Sequence, residues 1–85
     1  MKKLEVGKTY KYTDDERYIK VLKHLAKYEV YLCDIAYLNT KAPLVCRTTI
    51  EYDCLFLWEE TEDDFEEKIS DVPDYLRSHA LKRNK

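Results

Sequence analysis

Three cysteines and two histidines are among the side chains of this 85-residue sequence that could supply a nucleophile or hold a metal ion. Cys33, Cys46 and Cys54 form no C-x-x-C pair, and no ligand spacing connects them to His24 or His79. A thiol nucleophile also needs a histidine base at hydrogen-bond distance, and nothing in the sequence favours such a pair. We therefore predict a non-enzymatic protein with buried cysteines, no metal and no cofactor.

Carboxylates are abundant, with 17 Asp and Glu residues, but no pair of them is marked by its surroundings as an acid and base. The only glycine is Gly7, so Gly-rich phosphate loops are absent, and no D-x-D-x-D-G spacing indicates a calcium loop. These absences favour binding over catalysis.

One candidate binding surface mixes cations with aromatic rings, a combination that can neutralise phosphates and stack on bases. It predicts, as the alternative function, an RNA or single-stranded DNA binder that uses the Lys- and Tyr-rich first half of the chain. An isoelectric point of about 5.7 weighs against it, because dedicated nucleic-acid-binding domains are usually strongly basic. The residues of this basic set are Lys8, Tyr10, Lys11, Tyr12, Arg17, Tyr18, Lys20, Lys23, Lys27, Arg77, Lys82 and Arg83.

The second candidate is an acidic belt that follows Trp58. The net charge is +4 over residues 1–50, −10 over residues 51–75 and +4 over residues 76–85, so the negative charge is concentrated in one segment. One interpretation is the start of a helix capped by Thr61, since acids stabilise helix N-termini. The belt holds more acids than capping uses, which favours steering toward a basic partner protein. Its members are Glu59, Glu60, Glu62, Asp63, Asp64, Glu66 and Glu67.

The elements that position these residues follow from hydrophobic periodicity. Residues 48–58 alternate with period two, with Ile50, Tyr52, Cys54, Phe56 and Trp58 among the residues on one face, and predict a strand. Residues 29–38 predict a strand covered on both faces, and Asn39 and Pro43 mark the turn of an antiparallel hairpin over residues 29–58. A short strand is predicted at K-T-Y-K-Y-T.

Residues 14–27 fit two patterns. As a helix they give a stripe that includes Tyr18, Leu22 and Ala26. As a strand over residues 17–25 they place Ile19, Val21 and Leu25 on one face. The helix would give a βαββα order, and the strand would give four antiparallel strands in about fifty residues.

The C-terminal part predicts one or two helices. Phe65 and Ile69 lie four residues apart, as on one helix face, and Pro73 suits the first turn of a second helix with Tyr75 and Leu76 in its contact stripe. We thus expect an α+β protein with one domain over residues 1–85, whose sheet core spans about residues 8–58 and whose acidic, helical part spans about residues 61–83.

With residues 17–25 as a strand, the rhythm of V-G-K-T-Y-K-Y and the later aromatic strand resembles small, strongly bent SH3-like barrels. The resemblance covers residues 5–60 and transfers no functional residue. Short, tyrosine-rich, glycine-poor chains also resemble accessory proteins of large phages, which often block host factors. We expect a protein-binding inhibitor or regulator in the cytoplasm, the host cytoplasm for a phage protein. The apolar runs are too short to span a membrane. The sequence is compatible with both a monomer and a homo-oligomer.

Overall fold

In the computed structural model, which describes residues 3–78, a five-stranded antiparallel sheet organises the chain. The strands are β1 (Thr9–Tyr12), β2 (Arg17–Leu25), β3 (Val30–Tyr37), β4 (Leu44–Glu51) and β5 (Trp58–Glu60). Their order is β4-β3-β2-β1-β5, so β1 to β4 form a meander and β5 returns to pair with the free side of β1. The predicted small antiparallel sheet is confirmed.

The helices are few and short. Within residues 3–78, three 3₁₀ helices span Ala26–Tyr28, Tyr52–Leu57 and Asp74–Leu76, and one α-helix, α1, spans Phe65–Lys68. Among residues 3–78, no helix has the length and apolar composition needed to cross a membrane.

Residues 17–25 form a strand, so the helix alternative and its βαββα order are wrong. The segment is paired along one side with β3 and over part of the other side with β1, and its β-branched Ile19 and Val21 are fully buried. A bulge between Val21 and Lys23 then shifts the alternation by one residue. His24, and not the predicted Leu25, therefore shares the face of Val21 and stacks on Tyr31.

The single strand predicted over residues 48–58 is also wrong, because β4 ends at Glu51. Val30, the first residue of β3, pairs with Glu51, so the ladder has no partner strand beyond this point. The chain continues as the 3₁₀ helix Tyr52–Leu57 before Trp58 begins β5. Within this helix Leu55 is 2% exposed and Phe56 is 73% exposed, the reverse of the alternation expected for a strand.

Two apolar layers lie on the two faces of the sheet. The larger layer, on the inner face, includes residues from β1 to β5 together with Leu4 and Leu55. The smaller layer lies on the outer face, where Phe65, Ile69 and Val72 pack with buried sheet residues. The sheet residues of the outer layer are Tyr18, Ala36 and Val45. The segment after β5 therefore lies across the outer face of the sheet.

The guanidinium of Arg77 closes the C-terminal segment on itself, and the backbone of Arg77 joins this segment to the sheet. Its guanidinium donates from Nε to the Val72 carbonyl at 3.0 Å and from Nη2 to the Ile69 carbonyl at 2.5 Å, and the residue is buried. Arg77 also forms a parallel bridge with Val45, whose carbonyl accepts from the Ser78 N–H at 2.9 Å.

The expected C-terminal helices are single turns within the described residues. Asp64, and not the predicted Thr61, caps α1 by accepting from the Glu67 N–H at 3.2 Å. Phe65 and Ile69 are buried together as predicted, but Tyr75 is exposed and does not form the expected contact stripe. The remaining part of the predicted helical region, residues 79–83, lies outside the described residues.

Candidate binding surfaces

The acidic belt begins in β5 and continues along a segment fixed to the outer face of the sheet. Phe65 is buried against that face, and its N–H donates to Thr9 Oγ1 in β1 at 3.3 Å. The Tyr18 hydroxyl donates toward Asp63 Oδ2 at 3.2 Å, which connects the belt to β2. All seven belt acids are exposed, so carboxylates project from a segment whose apolar side chains are packed.

Several belt acids pair with lysines. Lys8 Nζ donates to Glu60 Oε1 at 2.5 Å, and this hydrogen bond is the main reason that the pKa of Lys8 is raised. Weaker pairs join Lys20 to Glu66 at 3.7 Å and Lys68 to Asp63 at 3.9 Å. Two lysines of the first half of the chain, together with Lys68, thus partly neutralise the belt.

Three other belt acids keep an unneutralised charge. Glu59, Glu62 and Glu67 form no ion pair with any residue of the range 3–78, although Lys11 lies opposite Glu59 in the β1–β5 register. Their carboxylates are the part of the belt that is open to a partner.

The members of the basic set within residues 3–78 do not all face solvent. Tyr10 and Tyr18 are 2% and 1% exposed, so their rings are core residues and are not accessible for stacking on bases. The Arg77 guanidinium is directed at the backbone carbonyls of Val72 and Ile69 and does not face solvent as a free cation. Lys23 and Lys27 are exposed. Lys82 and Arg83, like His79, lie outside the described residues.

Arg17, another member of the basic set, is held at the other end of β2. Its guanidinium carbon lies 4.6 Å from the centroid of the Tyr12 ring and 5.5 Å from that of Tyr37. Arg17 Nε also forms an ion pair with Asp15 Oδ2 at 3.1 Å. Arg17 therefore caps partly buried aromatic rings and is not a free cation.

The pKa values of two buried groups are strongly raised. Burial, reinforced by the nearby carboxylates Glu16 and Asp63, raises the pKa of the Tyr18 hydroxyl to about 12. Burial, with a smaller effect of Asp34, raises the pKa of the Cys33 thiol to about 12. Both groups are neutral at pH 7, which suits their places in the apolar layers.

The cysteines and histidines form no metal site in the described part of the chain. Cys33 is buried as predicted, whereas Cys46 and Cys54 are half-buried. No three His, Cys, Asp or Glu side chains in residues 3–78 converge on a point where a metal ion could be held.

A cleft that sequence reasoning missed lies where the turn before β3 meets the residues after β4. It has a volume of about 130 Å³ and is lined by Tyr28, Glu29, Glu51, Tyr52 and Asp53. The Tyr52 N–H donates to the Glu29 carbonyl at 3.1 Å and holds the two segments together. In the sequence these segments are separated by more than twenty residues, so only the strand register could have revealed the cleft.

No protein-family model, curated protein or solved structure matches this chain.

Proposed function

We propose that this chain is a non-enzymatic binding module that acts as an inhibitor or regulator through its acidic belt. The partner surface that fits this belt is basic, of the kind that also holds nucleic acid. Carboxylates on the module would steer it toward that surface and fix its orientation there.

The observation that supports the proposal is the mismatch between the belt and the helix inside it. α1 has only four residues, and one side chain, Asp64, caps it. A single turn uses few acids, since the benefit of negative charge is confined to the first turn and is about 0.3–1 kcal/mol for each well-placed group. The exposed charge of Glu59, Glu62 and the other belt acids therefore exceeds what the local structure requires.

Anchoring of the belt also supports a role in binding. Burial of Phe65 and Ile69 fixes the segment before any partner arrives. A fixed segment loses less conformational entropy on association than a flexible acidic tail does, so more of the interaction energy appears as affinity. The belt is thus a pre-organised surface.

The alternative, an RNA or single-stranded DNA binder, receives less support. Lys8 and Lys20 are engaged by belt acids, and Tyr10 and Tyr18 are core residues. Phosphates approaching these lysines would meet the neighbouring carboxylates. Affinity capture with and without nuclease distinguishes this alternative from protein binding.

We further propose that the sheet is a small SH3-like barrel. Supporting features are the meander of β1 to β4, the bulge in β2, the 3₁₀ helix at Tyr52–Leu57 and the return of β5 to β1. A cytoplasmic location and a phage-type role in blocking a host factor are proposals from the sequence.

The test is affinity capture of a partner from native lysate of the source or host cell, with nuclease treatment in parallel. Three immobilised proteins are compared: the natural chain, a belt variant and a control variant. The belt variant carries Glu59→Gln, Glu62→Gln and Glu67→Gln. The control carries Asp14→Asn and Asp71→Asn, which remove exposed acids outside the belt.

A protein that survives nuclease and is retained by the natural chain and the control, but not by the belt variant, supports the proposal. Retention that disappears with nuclease favours the nucleic-acid alternative. Equal retention of a protein by all three chains would show that the belt is not the binding surface.

A further inference from the structure

The cleft beside the turn before β3 is a defined feature of the fold. Val30 pairs with Glu51 at the end of the β3–β4 ladder, and the Tyr52 N–H donates to the Glu29 carbonyl just beyond it. Glu29 itself has φ 56° and ψ 41°, a left-handed conformation that turns the chain sharply into β3. The two walls of the cleft are therefore connected through the backbone, so their spacing is set before any ligand binds.

Two tyrosine rings contribute the aromatic part of the cleft. The Tyr52 hydroxyl lies 2.5 Å from His24 Nε2, and its ring centroid is 5.8 Å from that of Tyr31. Tyr28, by contrast, is 67% exposed, and the ammonium of Lys27 lies 5.8 Å from the centroid of its ring. Tyr52 is thus a fixed wall, and Tyr28 is an exposed ring at which an incoming cation would compete with the Lys27 ammonium.

Three carboxylates contribute the charge of the cleft. Glu29, Glu51 and Asp53 are exposed, and none forms an ion pair with another residue in the range 3–78. Like charges gathered at one cleft repel each other, and an added cation would relieve that repulsion. Carboxylate oxygens accept strong hydrogen bonds from ammonium and guanidinium groups, and aromatic faces attract the same groups.

We propose that this cleft binds the side-chain cation of a lysine or arginine residue presented by a partner protein. A volume of about 130 Å³ admits one such group and the end of its aliphatic chain. Carboxylates and rings together select a cation over a neutral side chain of the same length. The cleft is a site separate from the acidic belt, and the inference does not depend on the belt.

The test is an NMR titration of the ¹⁵N-labelled full chain with three blocked tripeptides at constant ionic strength. The peptides are acetyl-Gly-Lys-Gly-amide, acetyl-Gly-Arg-Gly-amide and the corresponding norleucine peptide, which keeps the aliphatic chain and lacks the charge. We expect saturable shifts of the amide signals of Glu29, Tyr52 and Asp53 with one or both cationic peptides and none with the norleucine peptide. The ratio of the two affinities shows which cation is preferred.

Variants separate the cleft from general attraction to an acidic protein. Glu51→Gln and Asp53→Asn should each weaken binding by about two- to fivefold, the effect of losing one exposed ion pair. Tyr28→Ala should weaken binding by a similar factor, while the belt change Glu62→Gln should leave it unaltered. Equal shifts with the norleucine peptide, shifts that map only to the belt, or affinities unchanged in the three cleft variants would overturn the inference.

Discussion

Replacement of Arg77 by methionine tests whether this residue is a structural tie or a surface cation. The change removes two hydrogen bonds, from Nε to the Val72 carbonyl at 3.0 Å and from Nη2 to the Ile69 carbonyl at 2.5 Å. The Val72 carbonyl is left without a donor, which costs about 1–3 kcal/mol. The Ile69 carbonyl keeps the Val72 N–H at 2.9 Å and loses one hydrogen bond, which contributes about 1–1.5 kcal/mol. Methionine recovers part of the apolar contact of the arginine stem, so we expect a net loss of about 2–4 kcal/mol in the free energy of unfolding.

The assay is urea unfolding followed by fluorescence of Trp58, the only tryptophan, which is buried in the inner layer. For a chain of this size, a loss of 2–4 kcal/mol lowers the melting temperature by about 10–25 °C. Arg77→Lys keeps the charge but offers a single donor atom for two carbonyls, so it should lose an intermediate amount. The matched control is Lys23→Met, which removes an exposed cation and should change stability by less than about 0.5 kcal/mol.

The reasoning is refuted if Arg77→Met is as stable as Lys23→Met. In that case the Arg77 guanidinium would be free in solution, and Arg77 would return to the set of cations available to phosphates. The turn between Ile69 and Arg77 would then be held by the apolar packing of Ile69 and Val72 without the two hydrogen bonds.

Further changes probe the backbone and the core. In urea unfolding, Leu55→Ala should lower the free energy of unfolding by about 2–5 kcal/mol and Phe56→Ala by less than about 0.5 kcal/mol. A larger loss for Phe56→Ala would show that Phe56 is the buried residue, as in the predicted strand. Glu29→Gly should raise the urea midpoint by an amount equivalent to about 0.5–1 kcal/mol, because glycine adopts the left-handed conformation without steric strain; a lower midpoint would contradict this. The pKa of Tyr18 is raised to about 12 in the folded state, so its contribution to the free energy of unfolding is complete below pH 10 and is lost as the pH rises through 12. Over that range the free energy of unfolding should fall by about 2–3 kcal/mol in the natural chain and by less in Tyr18→Phe. Parallel pH profiles of the two chains would exclude this role of Tyr18.

The sequence predicted the parts of the fold that depend on local alternation. Residues 30–37 contain an apolar run that fits a strand covered on both faces, and the pattern of Tyr10 and Tyr12 marks β1. The choice between helix and strand at residues 17–25 could not be made locally, because both periods fit. Pairing with β1 and β3 decided it, and that is a tertiary effect.

Other features depend on contacts that a single sequence does not display. The end of β4 at Glu51 follows from the start of β3 at Val30, and the bulge near Val21 moves His24 to the inner face. From the sequence alone Arg77 is expected to be a surface cation, since arginine residues are rarely buried and then need partners such as backbone carbonyls.

The candidate surfaces also divide into one that the local sequence predicts and one that depends on long-range contacts. Periodicity and charge located the acidic belt, whose residues are exposed. The cleft joins segments that are distant in sequence. The charge count over residues 51–75 included Glu51 and Asp53 but did not show that they meet Tyr28 and Glu29.

The central claim is that the acidic belt binds a basic protein partner. Its most direct test is the affinity of the captured partner for the natural chain, the belt variant and the Asp14/Asp71 control, measured at several salt concentrations. We expect the belt variant to bind about 10- to 100-fold more weakly than the natural chain, since three exposed charge pairs contribute about 0.5–1 kcal/mol each. Its affinity should also depend less on salt, while the control matches the natural chain. Equal affinity and equal salt dependence for the belt variant would contradict the claim.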